Sequence, residues 1–397
     1  MKKEHALLIR FAAIMLVMFI GQAFTFTLMI PYLSSMGYNT ITQGWIFAFG
    51  SILTIVGQFL VGYLCDKFKT DKIIFIITCI IFAIVNWLFY SFNHNSLALV
   101  FLWGGFVFSL FRITQGVLDS WVIESDKYCL DNYGRIRIFG AIGWAIGAPL
   151  TSKFFDLWGY ASLGTSFLFF TVATLIITLF IPDAQKVETG HKLKFSDVKE
   201  LVFDPHFIVL TLMFLFLSMI MTADGYTTIY KMIALGSNMG LSESVINEQI
   251  NLKYSFQAVC ELPLFFFGGW VVNKFGNVKT LAFVTVMVVI RFVLYGLAVE
   301  PMQIVWASAF QAVTFPLYLI CTKRLIDEAS PAHLRASGQQ ISAAIFVGCS
   351  ALITPVLCGF LVEVFSFNIT LFSMAATCIV PLLLLMVYSK MGKISKE

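Results

Sequence analysis

The chain has 397 residues, of which 59% are hydrophobic and 12% charged. Soluble domains carry about twice that share of charge, so a water-soluble globular fold is excluded. The net charge of +4 gives no reason to expect a nucleic-acid partner, and the eight cysteines, none in a CxxC pair, read as small reduced hydrophobes rather than a disulfide framework.

In chain order, the apolar run from Ala6 to Ile30 is too long for a signal-peptide core and lacks a small-residue cleavage site, so it is expected to remain as a first membrane span. Runs long enough to cross a bilayer lie at 7–33, 41–64, 73–92, 96–123, 135–155, 160–182, 206–230, 250–272, 280–299, 302–322, 336–362 and 367–389. Continuous apolar runs of this length point to twelve helices and exclude a barrel. Lys and Arg set the orientation. With both termini in the cytoplasm, only Lys153, Lys231 and Lys253 fall on the far side and Arg112 and Arg291 within spans. A cytoplasmic-membrane location follows as an expectation.

The longest polar stretch, Asp183 to His206, divides the spans six and six. The expected organisation is a first bundle over 1–182, a cytoplasmic linker over 183–205 and a second bundle over 206–397. A weak internal repeat supports it: Gly62–Lys72 (GYLCDKFKTDK) follows span two, and Gly268–Lys279 (GGWVVNKFGNVK) follows span eight. Repeated halves flanking a central substrate site are a common plan of secondary transporters.

A charge at the bilayer centre costs at least about 2.5–3.5 kcal/mol, so intramembrane charges face a cavity or a partner. Asp119 lies near the end of span four and Arg137 near the start of span five, at similar depth. They can pair, either as a ligand site, where the guanidinium fork takes a carboxylate or two hydroxyls, or as a structural ion pair. Arg112 and Gln115 share the Asp119 face; Arg112 either neutralises Asp119 or binds an anionic substrate. Trp144, seven residues after Arg137, lies on the same face of its span. Gly140, Gly143 and Gly147 beside it suit close helix packing. Glu261 sits midway along span eight beside Pro263, with no cation within a turn. It either exchanges a proton, as coupling requires, or holds a static pair with Arg291 on the next span; Asp224 is the second coupling candidate. His5, His94, His191, His206 and His333 show no metal-ligand spacing, and there is no phosphate-cradling loop or Ser–His–Asp arrangement. No metal, organic cofactor, ATP-driven step or enzymatic activity is expected.

Gly62–Lys72 resembles the loop signature of the major facilitator superfamily, with Lys69 where a Gly is common and Asp71 where a basic residue is common. The resemblance implies a conformational-switch role for Gly62, Asp66 and Lys67; the residues alone also admit a solvated turn. Thr42–Lys67 and Tyr133–Ala148 resemble the second and fifth spans of the lactose permease group of oligosaccharide–proton symporters. That resemblance implies an all-α membrane protein of the major facilitator fold, twelve transmembrane helices in two six-helix bundles with pseudo-two-fold symmetry. It also implies Asp119 and Arg137 as a sugar-binding pair, Trp144 as a sugar-stacking ring, and Glu261, Arg291 and Asp224 as the counterparts of charged residues on spans eight, nine and seven. On span ten, Gln311 and Thr314 stand in place of a His and the proton-carrying Glu. Val347 replaces a basic residue on span eleven, and Leu264 an Asn on span eight.

The expected function is secondary active transport of a small solute through a lipid bilayer by alternating access, as a monomer, with a proton as the coupling ion and a sugar or oligosaccharide as first choice of substrate. One alternative is an aromatic-carboxylate or nucleoside symporter, since related subgroups share the span-eight Glu and an entry to span eleven like Leu334–Gln340. Another is a drug-efflux antiporter, which suits 42 Phe residues better than it suits the internal charges. A transporter-shaped receptor or membrane enzyme is a further class, opposed by the shortness of every loop.

Overall fold

The computed structural model describes residues 2–91, 96–184, 203–331 and 334–391. Residues 185–202 of the expected linker, and His94, His191 and His333, lie outside the described residues. Among the described residues, twelve helices are long and apolar enough to cross a membrane: α1 (His5–Ser35), α2 (Thr40–Phe68), α3 (Asp71–Ser91), α4 (Leu97–Ser125), α5 (Tyr133–Trp158), α6 (Ala161–Leu179), α7 (Pro205–Asn238), α8 (Glu243–Phe275), α9 (Asn277–Leu297), α10 (Pro301–Ala329), α11 (Gly338–Val364) and α12 (Phe367–Lys390). Each matches one expected run. Large apolar side chains such as Phe59, Phe169, Leu179, Phe266, Trp270 and Ile379 are exposed, a surface that lipid accepts and water penalises.

Several helices extend beyond their apolar runs. α7 continues past 230, so Lys231 is helical rather than beyond the span, and both it and Lys253, which lies within the expected span-eight run, are buried. Lys231 is tolerated there because its Nζ donates to the carbonyls of Tyr295 and Gly296, at 2.7 and 2.9 Å. Those carbonyls are among the last of α9, which have no partner within their own helix, and a cation also suits the negative end of that helix.

Helix ends and breaks follow local chemistry. Asn39 caps α2 by accepting from the Thr42 N–H at 2.9 Å, and Ser366 caps α12 by accepting from the Ile369 N–H at 3.2 Å. α1 breaks at Thr27–Leu28 and α12 at Cys378, beside the carbonyls that Pro31 and Pro381 leave without their usual donor. α11 carries a π-turn at Ala344–Gly348. It lies between two hydroxyl contacts to α7, Thr211 with Ser342 at 3.3 Å and Ser218 with Ser350 at 2.9 Å. Seven residues of α7 thus face eight of α11, and the widened turn absorbs the extra one.

The turn after α2 places Lys69 at φ 51°, and the turn after α8 places Gly276 at φ 83°. These are equivalent positions of the internal repeat. Beyond Lys69, Asp183 caps α3: its Oδ1 accepts from the backbone N–H groups of Asp71 and Lys72 at 3.1 and 3.0 Å and of Ala184 at 2.9 Å. Burial alone would raise the carboxyl's pKa, but these bonds and one from the Thr70 side chain hold it below the usual carboxylate range. In return Lys72 Nζ donates to the Ile181 carbonyl, at 2.7 Å, just past the end of α6.

By internal contacts the chain forms two compact units, one of Met1–Glu188 and Gly236–Val259, the other of Thr189–Leu235 and Cys260–Glu397. In the first, α1 crosses α5 closely; a Cβ at Gly147 would stand 2.7 Å from the Ile20 carbonyl oxygen. A fully buried Trp121, edge-on to Phe11 with ring centres 5.3 Å apart, centres the apolar core there. The same unit holds the start of α8 against α5, where Asn251 Nδ2 donates to Ser152 Oγ at 2.7 Å and Ser255 Oγ to the Ala145 carbonyl at 2.8 Å. In the second unit Phe214 packs on Tyr318 and Phe346, with centres 6.0 and 5.8 Å apart.

Candidate functional site

The first unit carries one polar stripe along α4. Phe108, Phe111, Arg112, Gln115 and Asp119 recur at three- and four-residue intervals, which places them on a single face. Asp119 Oδ1 lies 3.9 Å from Arg137 Nε on α5, with about a third of each side chain exposed. The pairing expected from depth is there, at the long limit of an ion pair rather than as a hydrogen bond. The Tyr133 hydroxyl bonds to both partners. The Arg137 guanidinium sits over the Phe19 ring, 4.5 Å from its centre.

Two turns further along α5, Trp144 joins an aromatic group. Its ring centre is 6.2 Å from Phe26, 6.1 Å from Phe111 and 6.2 Å from Tyr254, and Phe26 stacks on Phe111 at 4.9 Å. Phe19 and Phe26 are seven residues apart on α1, as Arg137 and Trp144 are on α5, so the two helices run alongside one another in step. The exposed Arg112 lies 6.0 and 5.7 Å from the Phe108 and Phe111 ring centres. Gln115 Nε2 donates to Gln22 Oε1 at 2.8 Å. Sequence reasoning does not single out Phe19, Gln22, Phe26, Tyr133 or Tyr254. Each is an ordinary member of an apolar run, and its role depends on which helix lies opposite.

The second unit holds a buried charged cluster. Arg291 on α9 is fully buried; its Nη2 is 3.7 Å from Asp224 Oδ2 on α7, and its Nη1 donates to Thr314 Oγ1 on α10 at 3.2 Å. Thr228 donates to the Asp224 backbone carbonyl and, at 3.3 Å, to its carboxylate. Glu261 on α8, 9% exposed, is hydrogen-bonded by Gln311 and feels the charges of Arg291 and Asp224. From sequence, Arg291 is the nearest partner expected for Glu261. Among the described residues the direct ion pair is Arg291–Asp224 instead, because α7 brings its carboxylate against the guanidinium and Gln311 takes Glu261. The two span-ten positions that depart from the lactose permease pattern, Gln311 and Thr314, are the ones that touch Glu261 and Arg291.

Gly62, Asp66 and Lys67 are not in a loop. They form the last two turns of α2, and only Lys69 and Thr70 lie between the helices. Lys67 Nζ lies 5.7 Å from the Tyr63 ring centre. Among the described residues no group of three His, Cys, Asp or Glu is placed to hold a metal ion.

A family model described as "MFS_1 like family" matches residues 8–374. The chain belongs to that family. It is a transporter of the major facilitator superfamily, and the resemblance read from α2 and α5 stands. Among curated relatives of this family member, the putative nucleoside transporter YegT of Escherichia coli (strain K12) is 22% identical over 363 residues, covering 84% of this chain and 79% of its own. The lactose permease of Klebsiella oxytoca is 23% identical over 132 residues, 32% of each protein. Among solved structures, the nucleoside transporter NupG superposes with a TM-score of 0.80 at 14% identity, covering 97% of this chain and all of that one. That likeness concerns the fold.

Proposed function

We propose that the chain is a proton-coupled nucleoside carrier of the cytoplasmic membrane, acting as a monomer by alternating access between two six-helix bundles, residues 1–182 and 206–397, joined by the linker 183–205. The observation that carries this reading is the spacing between two groups on one stripe. The Asp119–Arg137 pair and the Phe26–Phe111–Trp144 aromatic group are seven to eight residues apart on both α4 and α5. At 1.5 Å per residue that is about 10–12 Å, close to the length of a nucleoside.

The chemistry at each end suits the two parts of such a ligand. A base stacks on aromatic faces, an interaction of about 1–3 kcal/mol in other proteins. Adjacent ribose hydroxyls donate to a carboxylate and accept from a guanidinium fork. The mutual neutralisation of Asp119 and Arg137 fits an uncharged substrate. The relative named as a putative nucleoside transporter spans most of the chain, whereas the lactose permease match spans a third, which favours nucleosides over the sugar expected first from local resemblance.

Glu261 is assigned the coupling proton, with Asp224 and Arg291 as its charged surroundings, and Gly62, Asp66 and Lys67 the conformational switch. The test is a thermal-shift screen of the detergent-purified protein with nucleosides, disaccharides and aromatic acids, followed by uptake of labelled uridine in proteoliposomes. A ligand of the folded state raises its apparent stability by mass action. Stabilisation by nucleosides, lost in Trp144→Ala and Arg137→Ala, supports the reading. Stabilisation by disaccharides alone returns the chain to sugar transport. Stabilisation by an aromatic acid, lost in Arg112→Ala, assigns an anionic substrate.

A further inference from the structure

Gln115 is half-buried on the α4 stripe, one turn from Phe111 and one turn from Asp119, between the aromatic group and the charged pair. Beneath it Gln22, on α1, is completely buried. A primary amide has two different ends, an N–H2 that donates and an oxygen that accepts, and a free side chain offers either by rotation. Here one N–H of the Gln115 amino group donates to Gln22 Oε1 at 2.8 Å, which sets which way the amide faces. The Gln115 carbonyl oxygen is left at the opposite end of the amide.

Gln22 reaches Gln115 from inside the bundle. Its own Nε2 is buried and has no partner among the described residues. It lines a small interior cavity with Cys79, Thr114, Thr171 and Thr174.

We propose that Gln22 is a positioning residue that fixes the Gln115 amide with its carbonyl toward the substrate, so that the site selects a base presenting an N–H donor at its edge. This rests on the nucleoside reading and adds which feature of the base is recognised. The level of Gln115, about 6 Å along α4 from both Phe111 and Asp119, suits the edge of a base stacked at the aromatic end with its ribose at the charged pair. The imide N–H of uridine satisfies the carbonyl. A methyl on that nitrogen removes the donor and leaves the carbonyl unpaired, the kind of mismatch that polar sites discriminate strongly.

The experiment is competition against labelled uridine uptake in proteoliposomes, comparing uridine with 3-methyluridine. The wild type is expected to prefer uridine about tenfold or more. Gln22→Leu is expected to bring the two within about twofold while uridine uptake persists, a change of ratio that a merely structural role would not produce. Gln115→Met, which leaves Gln22 in place, is expected to lose the preference in the same way and serves if Gln22→Leu does not fold. A preference retained in either variant overturns the proposal. A wild type that carries uridine and 3-methyluridine equally overturns it while leaving the nucleoside reading intact, and a wild type that carries no nucleoside removes both.

Discussion

Asp183 and Lys72 each close the end of a helix that the other one borders. The carboxylate takes the N–H groups at the start of α3, and the ammonium takes the carbonyl just beyond α6. Both contacts match the polarity of the helix ends they meet. Arg10 Nη1 adds a bond to the Phe180 carbonyl at 2.6 Å and Trp121 Nε1 one to the Pro182 carbonyl at 3.2 Å, so the segment 180–183 is fastened from three helices.

Asp183→Asn is therefore expected to lower stability by about 1 kcal/mol at neutral pH, the usual scale for a helix cap. Because the folded-state pKa of Asp183 is depressed, the carboxylate's contribution is present above the unfolded value near 4 and is lost as pH falls through the folded value. Melting curves of both proteins should differ at pH 7 and converge on acidification below about 4. A constant gap across that range would remove the carboxylate's charge from the account.

Lys69 occupies the left-handed region at φ 51°, ψ 39°, whereas its repeat partner Gly276, at φ 83°, ψ 156°, lies in a region that is essentially restricted to glycine. Lys69→Gly is expected to raise stability by about 1 kcal/mol, the relief of backbone strain less the entropy a glycine adds to the unfolded chain. Gly276→Lys should cost more, about 1–3 kcal/mol, because its backbone lies where only glycine enters freely. Thermal unfolding in detergent measures both, and a loss of stability in Lys69→Gly would assign this lysine a contact worth more than the strain.

Removing one partner from a buried ion pair leaves an uncompensated charge and costs about 3–5 kcal/mol. Arg291→Ala should fall in that range, because its guanidinium is fully buried and lies against the Asp224 carboxylate. The Asp224→Asn, Arg291→Gln double variant should recover part of the loss. If the double variant is as unstable as the sum of the single ones, the two residues do not act as a pair.

Glu261→Gln separates coupling from binding. Under the proposed function, uphill uptake driven by a proton gradient should be abolished while equilibrium exchange of labelled uridine across the vesicle membrane continues. Uphill uptake that survives in Glu261→Gln and disappears in Asp224→Asn would move the coupling proton to α7.

The span count is legible in sequence because twelve apolar runs leave little freedom, and Asp119 with Arg137 because both lie near the same end of adjacent antiparallel helices. Lys231 is not, because a charge in a hydropathy pattern looks like the end of a span, and only the α9 carbonyls beside it explain its burial. The partner of Glu261 is hidden because sequence gives the order of helices but not their rotation, on which the choice between Asp224 and Glu261 for Arg291 depends. Gln22 is silent in sequence for a related reason: a single glutamine in a long apolar helix acquires meaning from what lies across from it.

The π-turn in α11 bears on how this chain is matched to others. One residue added to an otherwise α-helical frame turns everything after it by about 100°. A gapless comparison with a transporter whose eleventh span lacks that turn, anchored on Leu334–Gln340, will place each position after Val347 on the wrong side of the helix. Anchored instead on the residues after Gly348, it will misplace the preceding ones. Val347, matched to a basic residue by counting along the chain, sits inside the turn itself, so its counterpart has to be found by superposing backbones rather than by aligning letters.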